Sequence, residues 1–266
     1  MVEIKPFRVQ ESDMRRLRRR SFAAGALVVI TAAAVAAAGC GGKGVNVEFT
    51  QSERNPVLIY QRTQALPSLY NVGAPDLIIY GNGTSFRMAG LMDIKRGSFS
   101  REELKKLLAS IVEKGFFELR AKGEDPPIGG DTDHVTVTLK DKSRSVSAGA
   151  ATATSPFKDI VEEIRNLKVP NEQEYTPDNL VLYSSVFQGS PPADAKVLDW
   201  RLAPKLLADA ALAEAPGRAV SGAEAKAAWK ALKEAYRSSA DEVYWKAGGK
   251  IYARVVAVPQ FPMPGV

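Results

Sequence analysis

The sequence predicts an α+β protein, in which hairpins of antiparallel strands form sheets that carry helices packed on one face. Three observations support this class. Short apolar runs are paired across two-residue turns, amphipathic segments follow the hairpins, and Gly- or Pro-containing stretches separate the elements. Hydrophobic residues make up 45% of the chain and charged residues 25%, which is typical of a globular protein and excludes a disordered or collagen-like one.

The body of the chain begins with a predicted strand and a predicted hairpin. Residues 57–60 form an apolar run. Residues 77–80 and 85–88 form two further runs on either side of a turn that contains Asn82 and Gly83. Asn-Gly is favoured in hairpin turns because both residues tolerate a positive φ. These two runs are therefore predicted to pair as antiparallel strands.

Two amphipathic helices are predicted next. Ser100 and Glu103 form a capping box at the start of the first helix, and Gly115 ends it. Ser155 is the predicted N-cap of the second helix, which ends before Pro170. The apolar residues at helical spacing are Leu104, Leu107, Leu108, Ile111 and Val112 in the first helix, and Phe157, Ile160, Val161, Ile164 and Leu167 in the second.

Strand-like segments lie between these helices and after them. Residues 135–139 alternate between apolar and polar side chains, and residues 144–147 are predicted to return as their partner strand. Residues 171–178 are polar and predict a linker. Two more strands are predicted over residues 180–187 and 196–200.

The C-terminal part ends with helices and a hairpin. A short helix is predicted over residues 204–212, and Ser221 and Glu224 form a second capping box that opens a longer helix. The predicted inner face of that helix consists of Ala225, Trp229, Leu232 and Tyr236. Alternating residues on both sides of Gly248 and Gly249 predict a second hairpin.

The N-terminal 39 residues have the composition of an export signal. Residues 1–39 hold seven Lys and Arg and three Asp and Glu, and so account for +4 of the net charge of +6. The uncharged, Ala-rich run 21–39 follows the arginines, as in a secretory signal peptide. Arg19 and Arg20, with Phe22 two positions after the pair, resemble the twin-arginine export motif.

The end of this leader resembles the lipobox of bacterial lipoproteins. The residues are Ala37-Ala38-Gly39-Cys40, where Ala37 replaces the usual Leu, Val or Ile. In that family the cysteine is acylated on sulfur and becomes the new N-terminus. Each buried CH₂ of an acyl chain contributes about 0.8 kcal/mol, so two or three chains anchor a protein stably. The resemblance implies a body outside the cytoplasm, anchored to the membrane through Cys40. The alternatives are an uncleaved signal anchor, a cleaved, unanchored protein and a cytosolic protein.

These signals divide the chain into four predicted segments. A signal peptide spans residues 1–39, and a lipid-anchored tether spans residues 40–56. An N-terminal α+β domain follows over residues 57–170, and a C-terminal α+β domain over residues 171–266. The two domains are predicted to be small, related layers, because both reuse a hairpin followed by a helix.

Charge and motifs exclude several classes of function. Outside the leader, Lys and Arg are interleaved with Asp and Glu, whereas a nucleic-acid-binding protein needs a basic stripe on its folded body. One cysteine and one histidine exclude an intramolecular disulfide and a multi-histidine zinc site. The sequence has no Walker motif, dinucleotide-binding loop or Gly-x-Ser-x-Gly elbow, so no cofactor is expected.

One short segment combines metal-ligating side chains. Asp131, Asp133 and His134 follow a loop rich in Gly and Pro. Two carboxylates and an imidazole are able to bind a divalent metal. The segment therefore gives the hypothesis of an extracytoplasmic hydrolase or metal-dependent enzyme. The alternative is that the acidic residues belong to a solvated loop and His134 opens a strand.

Aromatic residues are concentrated in the C-terminal part, where most are expected to form the core. Tyr244 and Trp245 are neighbours in a predicted strand, so their side chains point to opposite faces. One of the two is then expected to face outward. Trp245 is the predicted contact residue for a binding partner.

The body resembles a broad class of bacterial, often actinobacterial, lipoproteins of uncharacterised function. The resemblance rests on residues 77–84, the helix that ends in Gly115-Phe116-Phe117, the strand 136–139 and the final hairpin with residues 258–262. It implies an exported α+β protein and brings no catalytic residues. The favoured function is a non-enzymatic module that binds an envelope protein or a cell-wall ligand.

Overall fold

A computed structural model describes residues 45–63, 74–90, 92–119, 130–149, 152–211, 217–237 and 243–262. The predicted signal peptide, with Arg19, Arg20 and Phe22, and the predicted acylation site Cys40 lie outside the described residues. The described residues from 45 to 262 belong to one compact unit. Within the described ranges, no helix combines the length and hydropathy needed to cross a bilayer.

The described part of the chain contains twelve strands and four helices. The strands are β1 (Pro56–Thr63), β2 (Leu77–Tyr80), β3 (Thr84–Gly90), β4 (Asp93–Ser98), β5 (Thr132–Thr138), β6 (Ser143–Gly149), β7 (Gln173–Tyr175), β8 (Asn179–Val186), β9 (Lys196–Asp199), β10 (Arg218–Ser221), β11 (Val243–Ala247) and β12 (Lys250–Pro259). The helices are α1 (Arg101–Glu113), α2 (Ser155–Arg165), α3 (Pro204–Ala210) and α4 (Gly222–Arg237).

The strands form two sheets. Sheet A has seven strands in the order β6-β5-β1-β2-β3-β4-β7, and each neighbouring pair is antiparallel. Sheet B has five strands in the order β10-β8-β12-β11-β9, and its β9–β11 pair is parallel. The structure is therefore a mixed α+β fold, with α1 and α2 on one side of sheet A, which confirms the predicted class.

The centre of sheet A is buried on both faces. Leu77 and Ile79 of β2 pack into the apolar cluster that contains α1 and α2. Ile78 and Tyr80 point to the opposite face and pack into a second cluster with α3, α4 and sheet B. A strand that is covered on both faces has no polar side, and this explains the unbroken apolar run of β2.

Local signals set the ends of the two helices on sheet A. The Ser100 Oγ accepts a hydrogen bond from the Glu103 backbone N–H at 3.2 Å, and the Glu103 carboxylate accepts the Ser100 N–H at 2.7 Å. The predicted capping box is thus confirmed. The N-cap of α2 is Thr154, one residue before the predicted Ser155, because Ser155 already has helical backbone angles.

The predicted linker over residues 171–178 is wrong in its centre. Gln173–Tyr175 forms β7, which pairs with β4 at the edge of sheet A. The second apolar cluster also combines residues of both predicted domains, among them Phe86 of β3 and Trp229 of α4. The division at residue 170 therefore does not separate two cores within the described residues.

The predicted tether over residues 40–56 also needs a correction in its second half. Val47 is 3% exposed and packs with the residues of α1 and α2. The backbone carbonyl oxygen of Glu48 accepts the Lys140 N–H at 2.8 Å, and that of Asn55 accepts the Gly81 N–H at 3.1 Å. The folded body therefore begins at Val47 among the described residues. Burial of this apolar side chain stabilises the folded state.

Candidate functional site

The three predicted metal ligands are held by other partners. The Asp133 carboxylate accepts hydrogen bonds from the Tyr60 hydroxyl at 2.8 Å and from the Arg165 guanidinium at 2.6 Å. Asp131 pairs with Arg62 at 2.5 Å. Burial raises the pKa of Tyr60 to about 12, so its hydroxyl remains a donor to Asp133 at neutral pH. Both carboxylates are thus engaged in ion pairs.

His134 lies on the opposite face of β5 from Asp133. This follows because neighbouring residues of a strand point to opposite faces. The His134 imidazole contacts the hydroxyl oxygen of Ser147 at 2.7 Å and that of Thr63 at 3.1 Å. Among the described residues, no three or more His, Cys, Asp and Glu side chains form a group able to hold a metal ion. The three predicted ligands therefore do not converge on one metal-binding point in the described part of the chain.

Trp245 does not face outward as predicted. It is 3% exposed, and its ring lies edge-on to the ring of Trp200 with centroids 5.2 Å apart. Tyr244, on the other face, is 4% exposed and contacts Phe187. Strand β11 is covered on both faces, so alternation leaves neither aromatic residue in solvent. The buried ring of Trp245 contributes to the wall of a second cleft of about 440 Å³, beside Leu198.

A different part of the molecule has the features of a binding site. A cleft of about 620 Å³ lies where β3, β4 and β7 of sheet A meet the residues after β12. Its aromatic residues are Phe86, Tyr175 and Phe261. The Phe86 ring centroid lies 4.7 Å from that of Tyr175 and 5.0 Å from that of Phe261. We call this feature the aromatic cleft.

The walls of the aromatic cleft are held by hydrogen bonds. The Tyr80 hydroxyl donates to the backbone carbonyl oxygen of Pro262 at 2.8 Å. The Gln260 backbone N–H donates to the carbonyl oxygen of Asn179 at 2.9 Å. Burial, with the nearby Asp178 carboxylate, raises the pKa of Tyr175, so that its phenol keeps its proton at neutral pH. The two hydrogen bonds therefore tie the C-terminal wall of the cleft to β2 and β8.

Charged groups of both signs surround the rings. The Arg96 guanidinium carbon lies 6.0 Å from the centroid of Phe86, at the limit of a cation–π contact. The Asp178 carboxylate pairs with the Lys226 ammonium at 2.8 Å. Glu53 and Arg54 add one exposed charge of each sign. The aromatic cleft thus has no strong field of a single sign.

Three amide side chains complete the lining, from Asn82, Asn179 and Gln260. The Asn82 side-chain oxygen accepts the Thr84 backbone N–H at 3.0 Å, which orients this amide at the hairpin turn. An amide offers both donors and acceptors. The cleft can therefore exchange hydrogen bonds in both directions with a ligand that lies on the rings.

The aromatic cleft has no signature in the amino-acid sequence. Phe86, Tyr175 and Phe261 lie on three elements that are distant along the chain, and they share no spacing that a motif search detects. Two local signals were nevertheless present: the Asn82-Gly83 turn and the extended tail that contains Phe261. Only the packing of β7 against β4 brings Tyr175 to them.

The chain was compared with protein-family models, curated proteins and solved structures, and none of the three comparisons finds a match.

Proposed function

We propose that this protein is an exported, lipid-anchored cell-envelope protein that acts as a non-enzymatic binding module. The aromatic cleft is the observation that carries the proposal. Its volume of about 620 Å³ lies within the range of about 300–1,000 Å³ that is common for ligand sites. Apolar rings with a few oriented polar groups are the usual lining of such sites.

The leader supports the location in the envelope. Its basic segment, its Ala-rich run and the lipobox-like residues before Cys40 are consistent with export and acylation. Residues 41–44 are Gly-Gly-Lys-Gly, and the folded body is already packed at Val47. A lipid on Cys40 would hold the body close to the membrane surface, where a cell-wall component or an envelope protein could reach the cleft.

The alternative is an extracytoplasmic hydrolase or metal-dependent enzyme that uses Asp131, Asp133 and His134. It has less support, because Asp133 and His134 point to opposite faces of β5 and both carboxylates are paired with arginines. The aromatic cleft lies elsewhere and is lined by none of these three residues.

The first experiment tests the anchor. The intact mass of the full chain expressed in its native host is measured after purification from membranes. A chain that begins at a diacylated Cys40 is expected, and Cys40→Ala should lose the acyl mass and leave the membrane fraction. A chain of 266 residues without acyl groups would contradict the lipid anchor.

The second experiment tests the cleft. A benzophenone amino acid is placed at Gln260, which lines the aromatic cleft, or at Ser145, an exposed position on β6 that serves as the control. Irradiation of living cells should give an adduct from position 260 and none from position 145. A correctly anchored protein that gives no adduct from position 260 would contradict a binding function for the cleft.

A further inference from the structure

We infer that the ligand of the aromatic cleft is a saccharide chain; this rests on the proposed function of the cleft as a binding site. The first support comes from the rings. The buried Phe86 ring contacts both the Tyr175 ring and the Phe261 ring, and Tyr175 and Phe261 are only half-buried. A pyranose presents a flat face of C–H groups, and an exposed aromatic ring gives that face an apolar surface to pack against.

The second support comes from the polar side chains. Seven of the twelve lining residues carry a carboxylate, an amide or a guanidinium group. These planar groups form two hydrogen bonds at once with paired partners. Neighbouring hydroxyls of a sugar ring have the matching spacing, and each hydroxyl both donates and accepts. The aromatic rings therefore fit the flat C–H face of a sugar ring, and the planar polar groups around them fit the hydroxyls at its edge.

The charges argue against a polyanion. The lining holds two arginines, Arg54 and Arg96, and two carboxylates, Glu53 and Asp178, so it carries no net charge. Lys226, which pairs with Asp178, does not line the cleft and brings the excess to a single positive charge. A nucleic acid or an anionic lipid surface would require an excess of positive charge. A ligand with little net charge and many hydroxyls meets no such requirement.

A polyproline peptide is the other ligand that aromatic grooves commonly bind. Proline has no backbone N–H, so such a peptide would leave the acceptor oxygens of Glu53, Asn179 and Gln260 without donors. These three side chains are exposed, so beside such a peptide their oxygens would stay bonded to water and would add no contact to the complex. Hydroxyl groups of a saccharide supply the missing donors.

The inference is tested by calorimetry with the full chain in detergent. The probes are the β-1,4-linked tetramers of glucose and of N-acetylglucosamine, with a proline decamer as the peptide probe. We expect saturable binding of a tetramer and none of the decamer. Tyr175→Leu should weaken that binding about tenfold, which corresponds to ~1.4 kcal/mol. The control, Tyr183→Leu, changes a half-buried tyrosine of β8 outside the cleft and should leave binding unchanged.

Two results would overturn the inference. The first is binding of the decamer with no binding of either tetramer. The second is an adduct from position 260 in cells that contains protein and no sugar. Either result leaves a working binding cleft, so it contradicts the saccharide and not the proposed function. The absence of any adduct at position 260 contradicts the proposed function itself.

Discussion

The hydroxyl of Tyr80 donates a hydrogen bond to the backbone carbonyl oxygen of Pro262, which lies 182 residues later in the chain. Tyr80 is fully buried at the end of β2, and Pro262 lies just beyond β12. Burial raises the pKa of Tyr80, so the hydroxyl remains a donor. This contact joins the centre of sheet A to the C-terminal segment and holds one wall of the aromatic cleft in place.

Tyr80→Phe should lower the free energy of unfolding by about 1 kcal/mol, the usual net contribution of one hydrogen bond. It should also speed amide hydrogen exchange at Gln260, whose N–H donates to Asn179 in the same wall. Urea unfolding and exchange measured by NMR check the two effects. Tyr236→Phe is the matched control, because its hydroxyl donates to Val255 elsewhere in the core. Equal exchange at Gln260 in both variants would contradict a specific role for Tyr80.

Gly83→Ala should be more destabilising than Gly249→Ala. Both glycines have a positive φ, +89° and +76°, so alanine costs about 1–2 kcal/mol of backbone strain at either position. A Cβ at position 83 would also collide with the backbone carbonyl oxygen of Phe99, whereas a Cβ at position 249 meets nothing within 4 Å. Urea unfolding should show the larger loss at position 83. An equal loss would mean that the Phe99 segment moves aside freely.

Lys233→Met should destabilise the fold at neutral pH by removing a contact between α4 and sheet A. The Lys233 ammonium lies 3.1 Å from the Asp93 carboxylate and 2.9 Å from that of Glu174, and its side chain is 14% exposed. Methionine keeps an apolar stem of similar length but removes the charge. Lys226→Met is the control, because the pair with Asp178 is more than half exposed and should contribute less.

The loss of unfolding free energy caused by Lys233→Met should depend on pH. Burial raises the pKa of Asp93, but the ammonium of Lys233 outweighs this and holds the pKa below its ordinary value. A carboxyl group with a lowered folded-state pKa stabilises the protein above its unfolded pKa of about 3.9, and this contribution is lost as pH falls through the folded pKa. The stabilities of the wild type and the variant should therefore converge in acid. A constant difference from about pH 7 to about pH 3 would contradict the pairing.

The wild type should lose stability in mild acid through His134, and His134→Gln should abolish this loss. Burial lowers the pKa of His134, which holds the neutral imidazole between Thr63 and Ser147. The unfolded chain then binds a proton more readily than the folded one as pH falls below about 6.5, so the wild type loses stability in that range. Because this is the single histidine of the chain, the variant has no imidazole left to titrate. Between about pH 7.5 and about pH 5, the unfolding free energy of the wild type should fall by more than that of the variant. An equal fall in both proteins would contradict the lowered pKa of His134.

Local signals were sufficient for much of the fold. The hairpins at Asn82-Gly83 and Gly248-Gly249 and the capped helix after Ser100 all lie where the sequence predicts them. In each case the signal is a short-range one, a turn that needs a positive φ or a side chain that caps a helix. Strands β4, β7 and β10 were missed, because their sequences DIKRGS, QEY and RAVS are short or polar and lack a clear apolar period.

The sequence by itself determined the α+β class, the capping box at the start of α1 and the two glycine-containing hairpin turns. Export and acylation at Cys40 stay predictions from the leader. Only the tertiary structure decided the candidate site. It separated Asp133 from His134, because neighbouring residues of a strand point to opposite faces. It brought Phe86, Tyr175 and Phe261 together, because three distant segments bury their rings against one another. Such contacts depend on how complete elements pack, and no short stretch of sequence encodes that packing.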